Sequence, residues 1–135
     1  MTEYFTNNMF NYYISPMLDD FELYRAYVNM FRRSDHPRPH ADAAHSDHVT
    51  LLYYANSEWK RSWGGETVFF GTRGQEIVQS VLPKPGRVAV FSGSVAHSAR
   101  PPLPDVDWPR LTVALKWRST VSDMGIGDAG ADKEL

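Results

Sequence analysis

Six short segments, at 24–31, 48–56, 65–70, 76–83, 86–93 and 110–117, are rich in β-branched and aromatic residues and are set off by glycine, proline and asparagine. Such residues fit a pleated, half-buried surface, and strands this short at turn-length spacing build an antiparallel sandwich or barrel. Gly64-Gly65, Gly71, Gly74, Pro85-Gly86 and Gly93 supply the turns between them, so the series needs no linker. A chain of 135 residues suits one core and is too short for two ordinary ones.

The flanks differ from this series. The opening, 1–23, is aromatic-rich and is expected to cover one side of the core; Ser15-Pro16 predicts a short helix running through Leu23, since proline is tolerated in a first helical turn. The tail, 119–135, is poor in apolar residues and aperiodic, which predicts a disordered segment. Only some two dozen residues precede the first core strand, so the isolated chain is expected to be marginally stable or a homo-oligomer.

Composition narrows the function. A net charge of −2 without a basic face gives no reason to expect nucleic acid or an acidic membrane as a partner. No apolar run approaches the roughly 20 residues of a membrane-spanning helix. The absence of cysteine excludes disulfides, thiolate metal sites and a cysteine nucleophile. The N-terminal residues lack the basic and apolar regions of a secretion signal, which makes a cytoplasmic location the default.

All five histidines fall in two places: His36, His40, His45 and His48 before or at the second segment, and His97 just after the fifth. Along an extended chain residues i and i+2 share a side, so His40 and Asp42 can offer an imidazole and a carboxylate to one ion, and so can His45 and Asp47. A lone pair of this kind is more often a surface hydrogen bond or an Asx turn. If sheet closure adds His97, the set becomes two histidines and one carboxylate with open positions opposite, which favours non-haem Fe(II) chemistry with dioxygen.

The order of the remaining chain adds to that reading. A strand ending in Tyr53-Tyr54-Ala55-Asn56 is followed by the Trp63-Gly64-Gly65-Glu66 turn, Pro83-Lys84-Pro85-Gly86-Arg87, His97, and Arg110 opening the last segment. Over roughly 24–118 this series resembles the Fe(II)/2-oxoglutarate-dependent oxygenases, in their prolyl-4-hydroxylase-like branch. The resemblance implies an all-β core with a short N-terminal helix, folded as a double-stranded β-helix, or jelly roll.

It also implies roles. The metal-binding pair maps to His40 and Asp42, with a short loop before the tyrosine strand; the rival mapping is His45 and Asp47, and His97 completes either set. Under the first mapping His45 and His48 are residues of the rim or of the surroundings of the ligands. Arg110, with Thr112 two residues on, would hold the distal carboxylate of 2-oxoglutarate, for which a planar fork of donors is suited. Tyr54 would donate to the same carboxylate. Independently of the resemblance, Tyr27 and Asn29 alternate with Ala26, Val28 and Met30 on the strand before the metal pair, so they are expected to line the mouth and touch co-substrate or substrate, Tyr27 as a co-substrate-binding residue. The glycines of the Gly64-Gly65 turn read as markers of the fold.

The activity implied is oxidative decarboxylation of 2-oxoglutarate coupled to hydroxylation of a C–H bond, with dioxygen as co-substrate and ascorbate as an accessory reductant. Related halogenases replace the carboxylate ligand by a small residue; Asp42 is retained, which favours hydroxylation, with desaturation and ring formation as further outcomes of the same chemistry. The substrate would be a peptidyl-proline, an amino acid or another small molecule. A silent jelly roll that binds a metal or small acid, and a cupin-like metal enzyme without 2-oxoglutarate, are the alternatives; Arg110 with Thr112 argues against both.

Overall fold

The computed structural model describes residues 14–121. Seven strands follow one another: β1 (Phe21–Phe31), β2 (His48–Tyr54), β3 (Thr67–Phe70), β4 (Ile77–Val81), β5 (Val88–Ser92), β6 (His97–Ala99) and β7 (Arg110–Ser119). They form two antiparallel sheets, one of four strands in the order β1-β7-β2-β5 and one of three in the order β4-β3-β6. The inner faces meet through Phe69 against Phe91, with ring centroids 4.9 Å apart, and through Tyr54 OH on Thr67 Oγ1 at 2.7 Å. This is the expected jelly roll.

The expected helix from Ser15 to Leu23 is a single 3-10 turn, Ser15–Leu18. It ends early because β7 recruits the residues beyond it: Phe21 pairs with Ser119, Glu22 with Arg118, and the Thr120 N–H donates to the Asp20 carbonyl at 2.7 Å. β7 accordingly runs two residues past the segment expected from sequence, to Ser119. The strand β6 went unread because its three residues, His-Ser-Ala, carry no apolar run. Ladder bonds to β3 define it: Ala99, Ser98 and His97 pair with Thr67, Val68 and Phe69.

β2 shows how the two faces divide. Leu51 is fully buried beneath Ile14, Leu18 and Trp117, with Val49, Tyr53 and Leu115 packed around them. This apolar cluster lies on the outer face of the four-stranded sheet, under the N-terminal turn, and burying one leucine there contributes about 1.5–3 kcal/mol. The opposite face of β2 carries Thr50, Leu52 and Tyr54, and the neighbouring inner positions of β7 are Arg110, Thr112, Ala114 and Lys116, all buried. The space between the sheets is thus lined largely by polar groups. Polar side chains buried between the sheets beside Leu52, Phe69 and Phe91 are the kind of lining a ligand-binding interior has.

Candidate active site

A backbone bridge brings the histidines together. The His40 N–H donates to the His97 carbonyl at 3.0 Å and the His97 N–H returns a bond to the His40 carbonyl at 2.9 Å. The loop after His40 is stitched to the same edge: the Asp42 and Ala43 N–H groups both donate to the Gly93 carbonyl, at 2.8 and 3.0 Å, and the Gly93 N–H donates to the His48 carbonyl at 2.8 Å. A Cβ on Gly93 would lie 2.9 Å from His48 Cβ, so only glycine allows so close an approach.

One ligand atom each from His40, Asp42 and His97 lies within 4.8 Å of the others. His40 Nδ1 is 3.0 Å from the Arg38 carbonyl and His97 Nδ1 2.9 Å from the Val95 carbonyl. A carbonyl only accepts, so each Nδ1 carries the proton and each Nε2 keeps its lone pair for a cation. His40 is half exposed while His97 is buried against Phe91, with ring centroids 4.7 Å apart. Burial lowers the His97 imidazole below its usual value, a shift that the Val95 carbonyl and the Asp42 charge only partly oppose. It therefore favours the neutral, ligating form.

Both oxygens of the buried Asp42 carboxylate are engaged. Lys116 Nζ donates to Oδ1 at 2.6 Å and Thr50 Oγ1 to Oδ2 at 2.7 Å. Burial would raise this carboxyl, but the bonds from Lys116 and Thr50 and the neighbouring charges of His97 and Lys116 outweigh it, and the group lies below the usual carboxylate range. Neither Lys116 nor Thr50 had a role assigned from sequence. The signal for Lys116 was there, because it shares the inner face of β7 with Arg110 and Thr112 by strict alternation.

Arg110 lies deeper, 1% exposed. Its Nε donates to the Gly65 carbonyl at 2.6 Å and its Nη2 to Thr67 Oγ1 at 2.7 Å, and the guanidinium carbon is 5.4 Å from the centre of the Tyr54 ring. Among the described residues no carboxylate pairs with it. Thr112 Oγ1 is buried without any hydrogen-bond partner. Gly65, at φ +80°, is more than a marker of the fold: its backbone supplies an anchor for Arg110. Asn56 fixes the start of β7 by accepting from the Leu111 N–H and donating to the Pro109 carbonyl, both at 2.8 Å.

These groups line one cavity of about 70 Å3, shared by His40, Asp42 and His97 on one side and by Arg110, Thr112 and Thr67 on the other. Tyr27 and Asn29 also line it, from β1. His45 and Asp47 are exposed, and His48 lies outside the donor cluster, with its Nδ1 2.7 Å from Asp47 Oδ1 and its ring edge-on to Tyr24. The donor chemistry fits a divalent metal. A buried guanidinium without an acidic partner among the described residues, beside an orphaned hydroxyl, fits an anionic, hydrogen-bonding ligand.

Two imidazoles and one carboxylate on a single face, held in a jelly roll, form the donor set of non-haem Fe(II) oxygenases. Residues 25–117 match the 2OG-Fe(II) oxygenase superfamily, and the chain belongs to it. The members of that superfamily use Fe(II) and 2-oxoglutarate. No curated protein sequence matches the chain. Among solved structures it is similar to a Pseudomonas putida prolyl-4-hydroxylase, at 28% identity and a TM-score of 0.55 over 76% of this chain and 52% of that one. A 2OG-Fe(II) oxygenase family oxidoreductase from Burkholderia pseudomallei shares the fold, at 18% identity and a TM-score of 0.59 over 73% of this chain and 45% of that one. So does the nickel complex of the non-heme monooxygenase ThoJ, at 14% identity and a TM-score of 0.55 over 78% of this chain and 47% of that one. The chain spans about half the length of each of these proteins.

Among the described residues no helix is long and apolar enough to cross a membrane.

Proposed function

We propose that this chain carries the catalytic core of an Fe(II)/2-oxoglutarate-dependent dioxygenase, one that hydroxylates a C–H bond of a peptidyl-prolyl, amino-acid or other small-molecule substrate. The observation that carries the reading is the pairing, across one cavity, of the His40, Asp42 and His97 cluster with a buried Arg110 that has no acidic partner among the described residues. Similarity to a prolyl-4-hydroxylase supports the substrate class.

In this reading His40, Asp42 and His97 hold Fe(II), which supplies the activation of dioxygen and the oxidation of the C–H bond. Arg110 receives the distal carboxylate of 2-oxoglutarate, and the free Thr112 hydroxyl gives that carboxylate a second donor. Tyr54 keeps the guanidinium in place through Thr67, whose Oγ1 both Tyr54 and Arg110 contact. From the sequence Tyr54 is expected to donate to the co-substrate carboxylate; its hydroxyl lies 2.7 Å from Thr67 Oγ1, beside the guanidinium that would hold that carboxylate. Tyr27 and Asn29 face the cavity from β1 and stand where a substrate would meet the site. Phe91 and Phe69 wall His97 off from water.

The test is an anaerobic titration of Fe(II)-loaded protein with 2-oxoglutarate, reading the weak visible absorption of a 2-oxo acid chelated to Fe(II). Wild type should show the band, His40→Ala should lose it, His45→Ala should keep it, and Arg110→Ala should need roughly 10- to 100-fold more 2-oxoglutarate. Succinate release with candidate substrates, with and without ascorbate, then searches for turnover. A folded wild-type protein without the band would sink the oxygenase reading.

A further inference from the structure

Among the described residues Lys116 is the one lysine buried in the interior of the sandwich, and the proposed reaction gives it no task. It projects from β7 on the same face as Arg110 and Thr112, with 7% of its side chain exposed. Its Nζ lies 2.6 Å from Asp42 Oδ1 and 5.3 Å from the centre of the Tyr27 ring. It does not line the cavity, so its charge is directed at Asp42 and Tyr27 rather than at a substrate.

We propose that Lys116 is a built-in counter-ion of the metal centre: its ammonium neutralises Asp42 when no cation is bound, and it competes with a divalent cation for that carboxylate. The proposal rests on the reading of His40, Asp42 and His97 as ligands. Asp42 is the only acid in that set, so with Lys116 beside it the cluster has no net charge when both imidazoles are neutral.

Two effects of the lysine oppose each other. As an orienting donor it would strengthen metal binding, and losing such a donor costs about 10- to 100-fold in affinity. As a like charge it weakens binding; two unit charges about 4 Å apart are worth roughly a thousandfold at the effective dielectric of a protein surface. Asp42 has other restraints that remain without the lysine, namely Thr50 Oγ1 on Oδ2 at 2.7 Å and its own N–H on the Gly93 carbonyl at 2.8 Å. Charge therefore outweighs orientation. The consequence for function is a centre that folds without metal and holds it weakly and exchangeably. Without the lysine, a carboxylate whose side chain is 4% exposed would be left unpaired until a cation arrived.

The experiment uses chelator-treated protein titrated with Mn(II) by calorimetry, together with thermal melts with and without Mn(II). Lys116→Met should bind Mn(II) about tenfold or more tightly than wild type. It should melt lower than wild type in chelator, and saturating Mn(II) should close that gap. Lys116→Arg, which keeps the charge, should stay within about threefold of wild type. If Lys116→Met does not fold in chelator, Lys116→Gln, which keeps a donor and removes the charge, decides by the same comparison. Unchanged or weaker Mn(II) binding in the neutral variant overturns the proposal and leaves Lys116 as an orienting group. The ligand assignment itself fails separately, and takes the proposal with it, if wild type binds no Mn(II) or if His97→Ala binds it as tightly as wild type.

Discussion

Single residues in this site are tuned by what surrounds them, and His97 shows the sign most clearly. Burial lowers its folded-state value below the ordinary 6.5. The unfolded chain therefore takes up its proton at a higher pH than the folded one, and between the two values stability rises with pH. The contribution is fully present above about pH 6.5 and is lost as pH falls through the folded value. Asp42 is silent in this window, since its carboxyl is held below 3.8 and its own contribution is lost only in stronger acid. We expect the urea midpoint of metal-free protein to drop between about pH 7.5 and pH 5.5, and the drop to shrink in His97→Asn. A flat wild-type profile would contradict the account. At this scale His40 and Asp42 could be picked out by type and spacing, with His45 and Asp47 as rivals, whereas the roles of His97, Arg110 and Thr112 came from the family resemblance. Thr67 and Thr50 could not be picked out, because a buried threonine in a strand reads as a β-former until the partner of its hydroxyl is known.

At the scale of elements the site depends on how closely backbones approach. The His40 and His97 bridge and the bonds to Gly93 set the distance between the ligand loop and β6, a contact between segments some fifty residues apart that strand patterns do not encode. The strands themselves were readable from alternation and turn residues. What escaped was β6, defined by its partner rather than by its own residues, and the early end of the N-terminal helix, decided by β7. Gly93 marks the dependence on approach. Its Cβ would meet His48 Cβ at 2.9 Å and Ala43 Cβ at 3.2 Å, so Gly93→Ala must push the ligand loop away. That variant is expected to remain folded, with a stability loss of about 1–3 kcal/mol by urea denaturation. It should lose about tenfold in Mn(II) affinity because Asp42 and His40 move with the loop. Unaltered affinity would mean that the loop adjusts without moving its ligands.

For the described molecule as a whole, polarity is divided unusually for a sandwich: buried polar groups share the interior with Leu52, Phe69 and Phe91, and a second apolar cluster lies outside the larger sheet. Among the described residues of the N-terminal turn, Ile14 and Leu18 pack on that outer face. Leu23, Val28, Met30 and Val90 share it and remain exposed, Val28 at 66% and Met30 at 51%. Exposed apolar side chains of this kind favour association, a ground for oligomers separate from the short N-terminal segment on which the expectation from sequence rested. Exposed side chains contribute little to the fold they sit on, so the double variant Val28→Thr, Met30→Gln should change stability by no more than about 0.5 kcal/mol per site. The same variant should scatter less light on concentration, because the change removes apolar area without touching the cavity. Urea unfolding and light scattering at matched protein concentration measure the two effects. If stability instead falls by well over 1 kcal/mol and the sedimentation coefficient drops with it, these side chains are buried against a second copy in solution. The variant would then have cost the protein an interface rather than an exposed patch.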